Sequence, residues 1–299
     1  MGSGAAVDAD AFFKRSDAAL YRAKAAGRNT YRTDDSPGET REEASRSLEQ
    51  DMRGTMKRGG FLLYCQPIID LATGAIAGFE ALMRWHHPLR GAIPPSAFVP
   101  LAEETGLSIS LGAWALREAC HEAAAWPEHL KVAVNVSALQ FQQASLEETV
   151  VQALARSGLA PQRLELEITE TILMQDADAV GASLQRLRAL GVRTALDDFG
   201  TGYSSLSDLD RFGFDTVKID RSFVSTMRSP KTTAIVRAIV TLAANLGARV
   251  TAEGVETAEQ LDFVRTEGCT EGQGFFFSPA LPAHDVFPLI RDDRAVLVA

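Results

Sequence analysis

Residues 194–202 read Thr194-Ala195-Leu196-Asp197-Asp198-Phe199-Gly200-Thr201-Gly202. This is a short strand that ends on two consecutive carboxylates and then turns on spaced glycines. A strand with only a structural task ends in turn residues, whereas this one ends on charge. The same ending recurs on both sides of it. Glu80 follows Ile76-Ala-Gly-Phe, Asn135 follows Val132-Ala-Val, and Glu167 lies in Leu164-Glu-Leu-Glu-Ile-Thr-Glu170. Lys218 lies in Thr216-Val-Lys-Ile-Asp220, and Glu253 follows Val250-Thr-Ala.

Working outward, the alternation predicts strands at 61–69, 75–84, 131–136, 163–168, 193–198, 215–220, 249–253 and 270–277. Helices are predicted at 96–105, 109–126, 145–157, 176–190, 204–212, 231–247, 257–267 and 283–290. Thr73-Gly74 makes the first two strands a hairpin, and strands separated by helices pair in parallel. Eight such strands in roughly 235 residues fit an α/β fold of the (β/α)8 barrel kind. A doubly wound open sheet is the competing architecture. No phosphate-loop lysine motif is present, and Gly200-Thr-Gly202 lacks the third glycine of a dinucleotide fingerprint.

The chain has 299 residues, 46% hydrophobic and 23% charged, with 30 Lys plus Arg against 39 Asp plus Glu. Its net charge of −9 excludes sequence-independent DNA binding, which needs a basic surface. No run approaches the roughly 20 apolar residues of a membrane span. The first apolar cluster, Ala11-Phe12-Phe13, is short and followed by Lys14 and Arg15, which is not a signal peptide. Three cysteines are too scattered for a disulfide framework or a zinc site. The expected location is cytoplasmic, with no membrane segment in this chain, although a longer parent protein could be tethered to a membrane.

Charge and composition divide the chain. Residues 1–60 carry 11 basic and 10 acidic side chains; residues 61–299 carry 19 and 29. Residues 1–4 read as an expression scar. A helix is expected at 8–26, with Gly27 as its stop, followed by a linker at 33–40. Ala44, Leu48, Met52 and Met56 form a narrow stripe on a helix at 41–58, enough to dock on something but not to build a core. The barrel is expected over 59–299, with the preceding helical segments as an N-terminal extension.

In a barrel, the C-terminal ends of the parallel strands converge on one face. Glu80, Glu167, Asp197, Asp198, Glu253, Asn135 and Lys218 then share one mouth. Burying carboxylates without partners is costly, and a cation relieves the cost. The donors are all oxygen, which favours Mg2+ or Mn2+ over zinc. A carboxylate of the Asp197-Asp198 pair bridging two ions would make a two-metal phosphoester hydrolase, with Lys218 placing the attacking water or stabilising developing charge. Singly, each residue has a plainer reading as a solvated strand end, a turn cap or a paired lysine. His86-His87-Pro88 suggests a histidine pair, but neighbours on extended chain point opposite ways. Cys65 reads as core.

At this point a resemblance is specific. Glu80-Ala81-Leu82 with Arg84 and Trp85 resembles the signature of the EAL domain family of cyclic di-GMP phosphodiesterases. The resemblance covers about 61–290. It includes Tyr64-Cys-Gln66-Pro67, Asn135-Val-Ser137, Glu167-Ile-Thr-Glu170, Asp197 through Leu206, Lys218-Ile-Asp220, Glu253-Gly-Val-Glu256 and Gln273-Gly274. It implies a modified barrel with an antiparallel first strand, and hydrolysis of cyclic di-GMP to linear pGpG. By resemblance, Glu80, Asn135, Glu167 and Asp197 would hold one Mg2+ or Mn2+ ion. Asp197 and Asp198 would serve a second, with Glu253 reaching it through water, and Ca2+ would inhibit. Lys218, Glu253 and Glu170 would be catalytic, Glu170 by anchoring the loop 198–206. Gln66, Leu82, Arg84, Glu256 and Gln273 match positions at the nucleotide. The resemblance also implies a homodimer through that loop and the adjacent helix. The alternative is a catalytically silent module that binds cyclic di-GMP.

Three positions depart from the family pattern. Phe275 stands where Tyr is common, Ser278-Pro279 lacks a preceding basic residue, and Asp208 replaces an aromatic residue. Residues 5–32 contain Ser16-Asp-Ala-Ala-Leu-Tyr-Arg-Ala-Lys24 and Gly27-Arg-Asn-Thr-Tyr31, which resemble the C-terminal end of a GGDEF diguanylate cyclase domain. The cyclase's catalytic segments are absent from these residues, so no cyclase activity is expected.

Overall fold

Asp70 ends the first strand by capping the turn that follows it. Its Oδ1 accepts from the backbone N–H of Ala72 and Thr73 and from the Thr73 hydroxyl. Strand β1 (Phe61–Asp70) thereby folds back onto β2 (Ile76–His87) as an antiparallel hairpin. The structure is a computed structural model, and the residues described are 41–142, 146–173, 177–200 and 211–292. The expectations for residues 1–40, for the loop beyond Gly200 and for most of the helix 204–212 lie outside these residues.

After the hairpin come β4 (Lys131–Asn135), β5 (Leu164–Thr169), β6 (Arg193–Phe199), β7 (Thr216–Ile219), β8 (Arg249–Ala252) and β9 (Glu271–Gly272). Strands β2 and β4 to β9 pair in parallel in chain order. Strand β1 is antiparallel to both β2 and β9 and closes the ring of eight. Two short strands lie outside the ring: β3 (Gly91–Ile93) on β2, and β10 (Leu281–Pro282) on β1. Neither was expected from the sequence. The modified barrel with its antiparallel first strand is therefore what forms, and the open-sheet alternative is excluded.

The long helices match expectation within a few residues: Pro95–Glu104, Leu107–Ala124, Leu146–Ser157, Ala177–Ala189, Pro230–Asn245, Ala258–Thr266 and Val286–Asp292. Their apolar faces pack on the outward side of the strands, where Val132, Val134, Leu164, Leu166, Ile168 and Val217 are all buried. The helix Arg41–Arg58 joins a second apolar cluster, in which Met52 packs with Phe61, Trp85, Phe98 and Leu111.

One strand departs from expectation. The apolar run 270–277 forms a strand only at Glu271–Gly272, and Gln273–Phe277 is a turn. Gly274 has φ +153°, and a Cβ there would overlap the Val255 backbone. The chain is held against that backbone, with Val255 N donating to Gln273 O and Phe276 N to Val255 O. Apolar residues at 275–277 imitate a strand while turning: Phe277 is buried and Phe275 is exposed.

Candidate active site

Because β2 and β4 to β8 are parallel, their C-terminal ends open on one face of the barrel. The antiparallel β1 brings its N-terminal half, Phe61–Tyr64, to the same face. Inward-pointing residues alternate with outward ones along each strand. Glu80, Leu82 and Arg84 lie on the inner face of β2, with Tyr64 and Gln66 on the inner face of β1 beside them.

The centre of the mouth is an ammonium. Lys218 Nζ lies 2.7 Å from Glu253 Oε1, 2.8 Å from Glu167 Oε1, 3.3 Å from Asp197 Oδ1 and 3.8 Å from Glu80 Oε1. The lysine is 1% exposed, and Glu80, Glu167 and Asp197 are also buried. Burial alone would drive the Lys218 pKa down, but Asp197, Glu167, Glu253 and Glu80 outweigh it and hold the group well above the usual value. Lys218 is therefore a fixed charge.

The carboxylates differ in their support. Glu80 accepts from Asn135 Nδ2 at 2.8 Å and from Gln273 Nε2 at 2.6 Å. Burial raises its pKa, but Lys218 and these two amides outweigh burial and keep it below the ordinary range. Glu167 has no such amides. Burial and the facing Glu80 push it well up, and its Oε2 is buried with no hydrogen-bond partner among the described residues. Burial, with Asp197 and Glu80 nearby, raises Glu253 to about 8. Burial and Asp197 raise Asp198 to about 6.

Asp197 and Asp198 are consecutive, and on a regular strand they would face opposite ways. Here the β6–β7 register shifts between Leu196 and Phe199, and Asp198 takes φ +55°, the left-handed region that non-glycine residues seldom enter. Its backbone N–H donates to Asp197 Oδ1 at 2.9 Å. The irregularity turns both side chains to the mouth, so that Asp197, Asp198 and Glu253 each present an oxygen within 4.8 Å of the others. Glu170, the next residue after β5, accepts from Gly200 N at 3.0 Å and so ties down the chain as it leaves β6.

The residues expected at the nucleotide divide. Gln66 sits level with Glu80, and Leu82 and Arg84 line the inner wall above it. Arg84 donates to Met83 O at 3.0 Å, and its guanidinium sits 5.4 Å from the centroid of the Tyr64 ring. Gln273 is 4% exposed, and its Nε2 donates to both Glu80 and Gln66. It therefore also supports a carboxylate, which its motif did not reveal. Glu256 is exposed, and its backbone N–H donates to Gln260 Oε1. The histidines separate as expected: His86 is exposed, while His87 is buried, accepting at Nδ1 from Leu89 N and Arg90 N. Cys65 is 1% exposed, and burial pushes its thiol up to about 12.

Sequence reasoning missed a second ionic layer inside the ring. Lys131 Nζ donates to Glu165 at 2.9 Å and to Glu271 at 2.8 Å. Thr216 and Thr251 bond the same carboxylates, and Arg249 lies 3.7 Å and 3.6 Å from them. The signal was present in Glu165-Leu166-Glu167, since residues two apart on a strand share a face.

The donor set fits divalent cations. Four carboxylates, Glu80, Glu167, Asp197 and Glu253, surround one ammonium, and a fifth, Asp198, stands beside Asp197 and Glu253. Fully ionised, they leave four uncompensated negative charges, which two divalent ions neutralise. The orphaned Glu167 Oε2 and the all-oxygen donor set suit Mg2+ or Mn2+. Among the described residues no helix is long and apolar enough to cross a membrane.

Comparison with known proteins agrees with this geometry. The EAL domain family model matches residues 49–280. A Caulobacter vibrioides protein described as an uncharacterized signaling protein is 47% identical over 275 residues, covering 92% of this chain and 34% of its own. The Pseudomonas aeruginosa bifunctional diguanylate cyclase/cyclic di-GMP phosphodiesterase MucR is 42% identical, over 90% of this chain and 40% of its own. The chain thus spans a little over a third of the length of these curated relatives. Among solved structures, the MucR phosphodiesterase in complex with c-di-GMP superposes with TM-score 0.78 at 43% identity, covering 81% of this chain and all of that one.

Proposed function

The chain belongs to the EAL domain family, and from that premise we propose that it hydrolyses one phosphodiester of cyclic di-GMP to linear pGpG, using two divalent cations, Mg2+ or Mn2+. The observation that carries the proposal is the mouth itself: five carboxylates, four of them on one buried lysine, with a residual charge that two such ions cancel. Relatives described as a bifunctional cyclase/phosphodiesterase and as a cyclic di-GMP phosphodiesterase support the substrate.

Glu80, Asn135, Glu167 and Asp197 would hold one cation, and Asp197 with Asp198 the other, with Glu253 beside it. Bound there, the ions supply an acidified water and neutralise the phosphate. The protein does the rest. Gln273 and Asn135 hold Glu80 ionised and fixed in orientation. Lys218, kept protonated by the carboxylates around it despite its burial, donates a hydrogen bond to the nucleophile and opposes the charge that grows on the phosphate. Arg84 presents a planar fork suited to a phosphate or a base edge. Gln66, Leu82 and Glu256 complete the nucleotide side. Ca2+, larger and less exacting in geometry, would occupy the donors without supporting turnover.

Incubation with cyclic di-GMP and Mg2+ or Mn2+ should release pGpG, and EDTA should stop it. Tight binding in Ca2+ with no turnover in either activating ion would instead mark a silent binding module. Glu80→Ala should lower turnover at least about 10³-fold while leaving the melting transition cooperative. Retained activity would overturn the ligand assignment.

A further inference from the structure

Arg84 and Trp85 are neighbours on β2, so their side chains point to opposite faces of the β1–β2 ribbon. The back of this ribbon, which carries Trp85 and Phe61, is packed into the second apolar cluster. The helix Arg41–Arg58 covers that back. Met52 is fully buried there, and the Phe61 and Trp85 rings stack at 5.5 Å with Phe98 edge-on at 5.8 Å. Thr55 is 3% exposed and its hydroxyl is fully used: it donates to Asp51 O at 2.8 Å and accepts from Trp85 Nε1 at 3.1 Å. The approach is close, because a Cβ on Gly60 would lie 2.6 Å from Thr55 Cγ2. Gly60 O in turn accepts from His86 N at 2.9 Å. Farther out, Arg90 bonds Asp51 and Ser47 on the same helix.

On the front of the ribbon, the partners of Arg84 among the described residues are its own strand's Met83 carbonyl, the Tyr64 ring and the Glu80 charge. All of them belong to the β1–β2 ribbon, so what backs the ribbon helps to set the pose of Arg84. We propose that the helix Arg41–Arg58 is a strut that fixes the β1–β2 ribbon through Met52 and Thr55, making Thr55 a positioning residue for nucleotide binding by Arg84. The inference rests on reading Arg84 as a nucleotide contact. It adds that residues outside the barrel strands set substrate affinity without touching substrate or metal. Trp85, which the strut holds, lies five residues beyond Glu80 on β2, roughly 17 Å along the strand, so the effect falls on KM and not on the cations.

The test uses the full chain with Thr55→Val, which keeps shape and removes the hydroxyl, and Thr55→Ser as the conservative control. Thr55→Val should raise the KM for cyclic di-GMP severalfold, up to roughly tenfold if the whole cost of the lost hydrogen bond and orphaned indole N–H falls on the binding-competent ribbon. The kcat and the Mn2+ concentration for half-maximal activity should stay put, and amide hydrogen exchange at Met83–Trp85 should quicken without nucleotide. Thr55→Ser should restore all of these values. An unchanged KM with unchanged exchange would overturn the strut, as would a fall in kcat tracking weaker Mn2+ binding. A wild-type protein that neither binds nor cleaves cyclic di-GMP would overturn the functional reading instead, and the exchange comparison alone would then decide the strut.

Discussion

Replacing Lys218 by Met removes the ammonium at the centre of the mouth and leaves Glu253, Glu167, Asp197 and Glu80 facing one another without it. The lysine touches the first two at 2.7 and 2.8 Å. Breaking a buried ion pair by deleting one partner costs about 3–5 kcal/mol. Part of that is relieved here, because burial already draws Glu167 and Glu253 toward protonation. The lower end, about 3 kcal/mol, corresponds to a melting temperature roughly 6–12 °C lower for a domain of this size. Differential scanning fluorimetry in EDTA measures it. Mn2+ should then stabilise the variant more than the wild type, because the ions enter a cage carrying one more negative charge. Half-saturation by Mn2+ should fall, while pGpG release at saturating Mn2+ drops about 10²–10³-fold, the size expected for one lost charge-stabilising donor. Loss of activity without tighter Mn2+ binding would place Lys218 among structural groups. A variant that melts within about 1 °C of wild type in EDTA would refute the electrostatic account altogether.

Two further predictions concern charge. The Glu253 carboxyl is raised in the folded state from 4.5 to about 8, so the fold holds a proton that the unfolded chain releases. In EDTA, its stabilising contribution is fully present below pH 4.5 and is lost as pH rises through about 8. Mn2+ affinity should strengthen over the same window as the cation replaces the proton, and Glu253→Gln should flatten both trends in melting and titration calorimetry. Lys131→Met strands Glu165 and Glu271 inside the ring. It should cost about 3 kcal/mol in urea unfolding, with Arg249 limiting the loss. Kinetics at low temperature should be unchanged per folded molecule, and a loss of turnover would show that the two ionic layers communicate.

The barrel was legible because its strands are short, separated by helices of ordinary length and ended by charge at matching positions. Two neighbouring pairs show where that legibility stops. His86 and His87 obey strand alternation and split between surface and interior. Asp197 and Asp198 escape it, because a register shift and a left-handed residue turn both to one side. Nothing in the identity of two consecutive aspartates announces that shift; it follows from pairing with β7. The 270–277 run misled for a similar reason: three phenylalanines look like a strand until Gly274 brings the chain against Val255. The motif of Gln273 pointed to the nucleotide but did not reveal that its amide also supports Glu80, a relation between residues 193 positions apart. Lys131, Glu165 and Glu271 went unread because each looks solvated until the ring closes around it. The stripe on 41–58 did foretell docking, but not the surface that receives it.

That closure bears on how the protein assembles. Lys131 finds Glu271 across 140 residues of sequence. A partial barrel ending before β9 would enclose this ammonium with half of its partners missing, and β1 could pair on one side only. The usual oily filling of a barrel tolerates intermediates, since any apolar surface serves another. A filling of matched charges does not, because each group is costly until its own counterpart arrives. Such long-range contacts also carry the largest chain-entropy cost and form late. The ring is therefore expected to fold as an indivisible unit, and separated halves have no stable state of their own to reach.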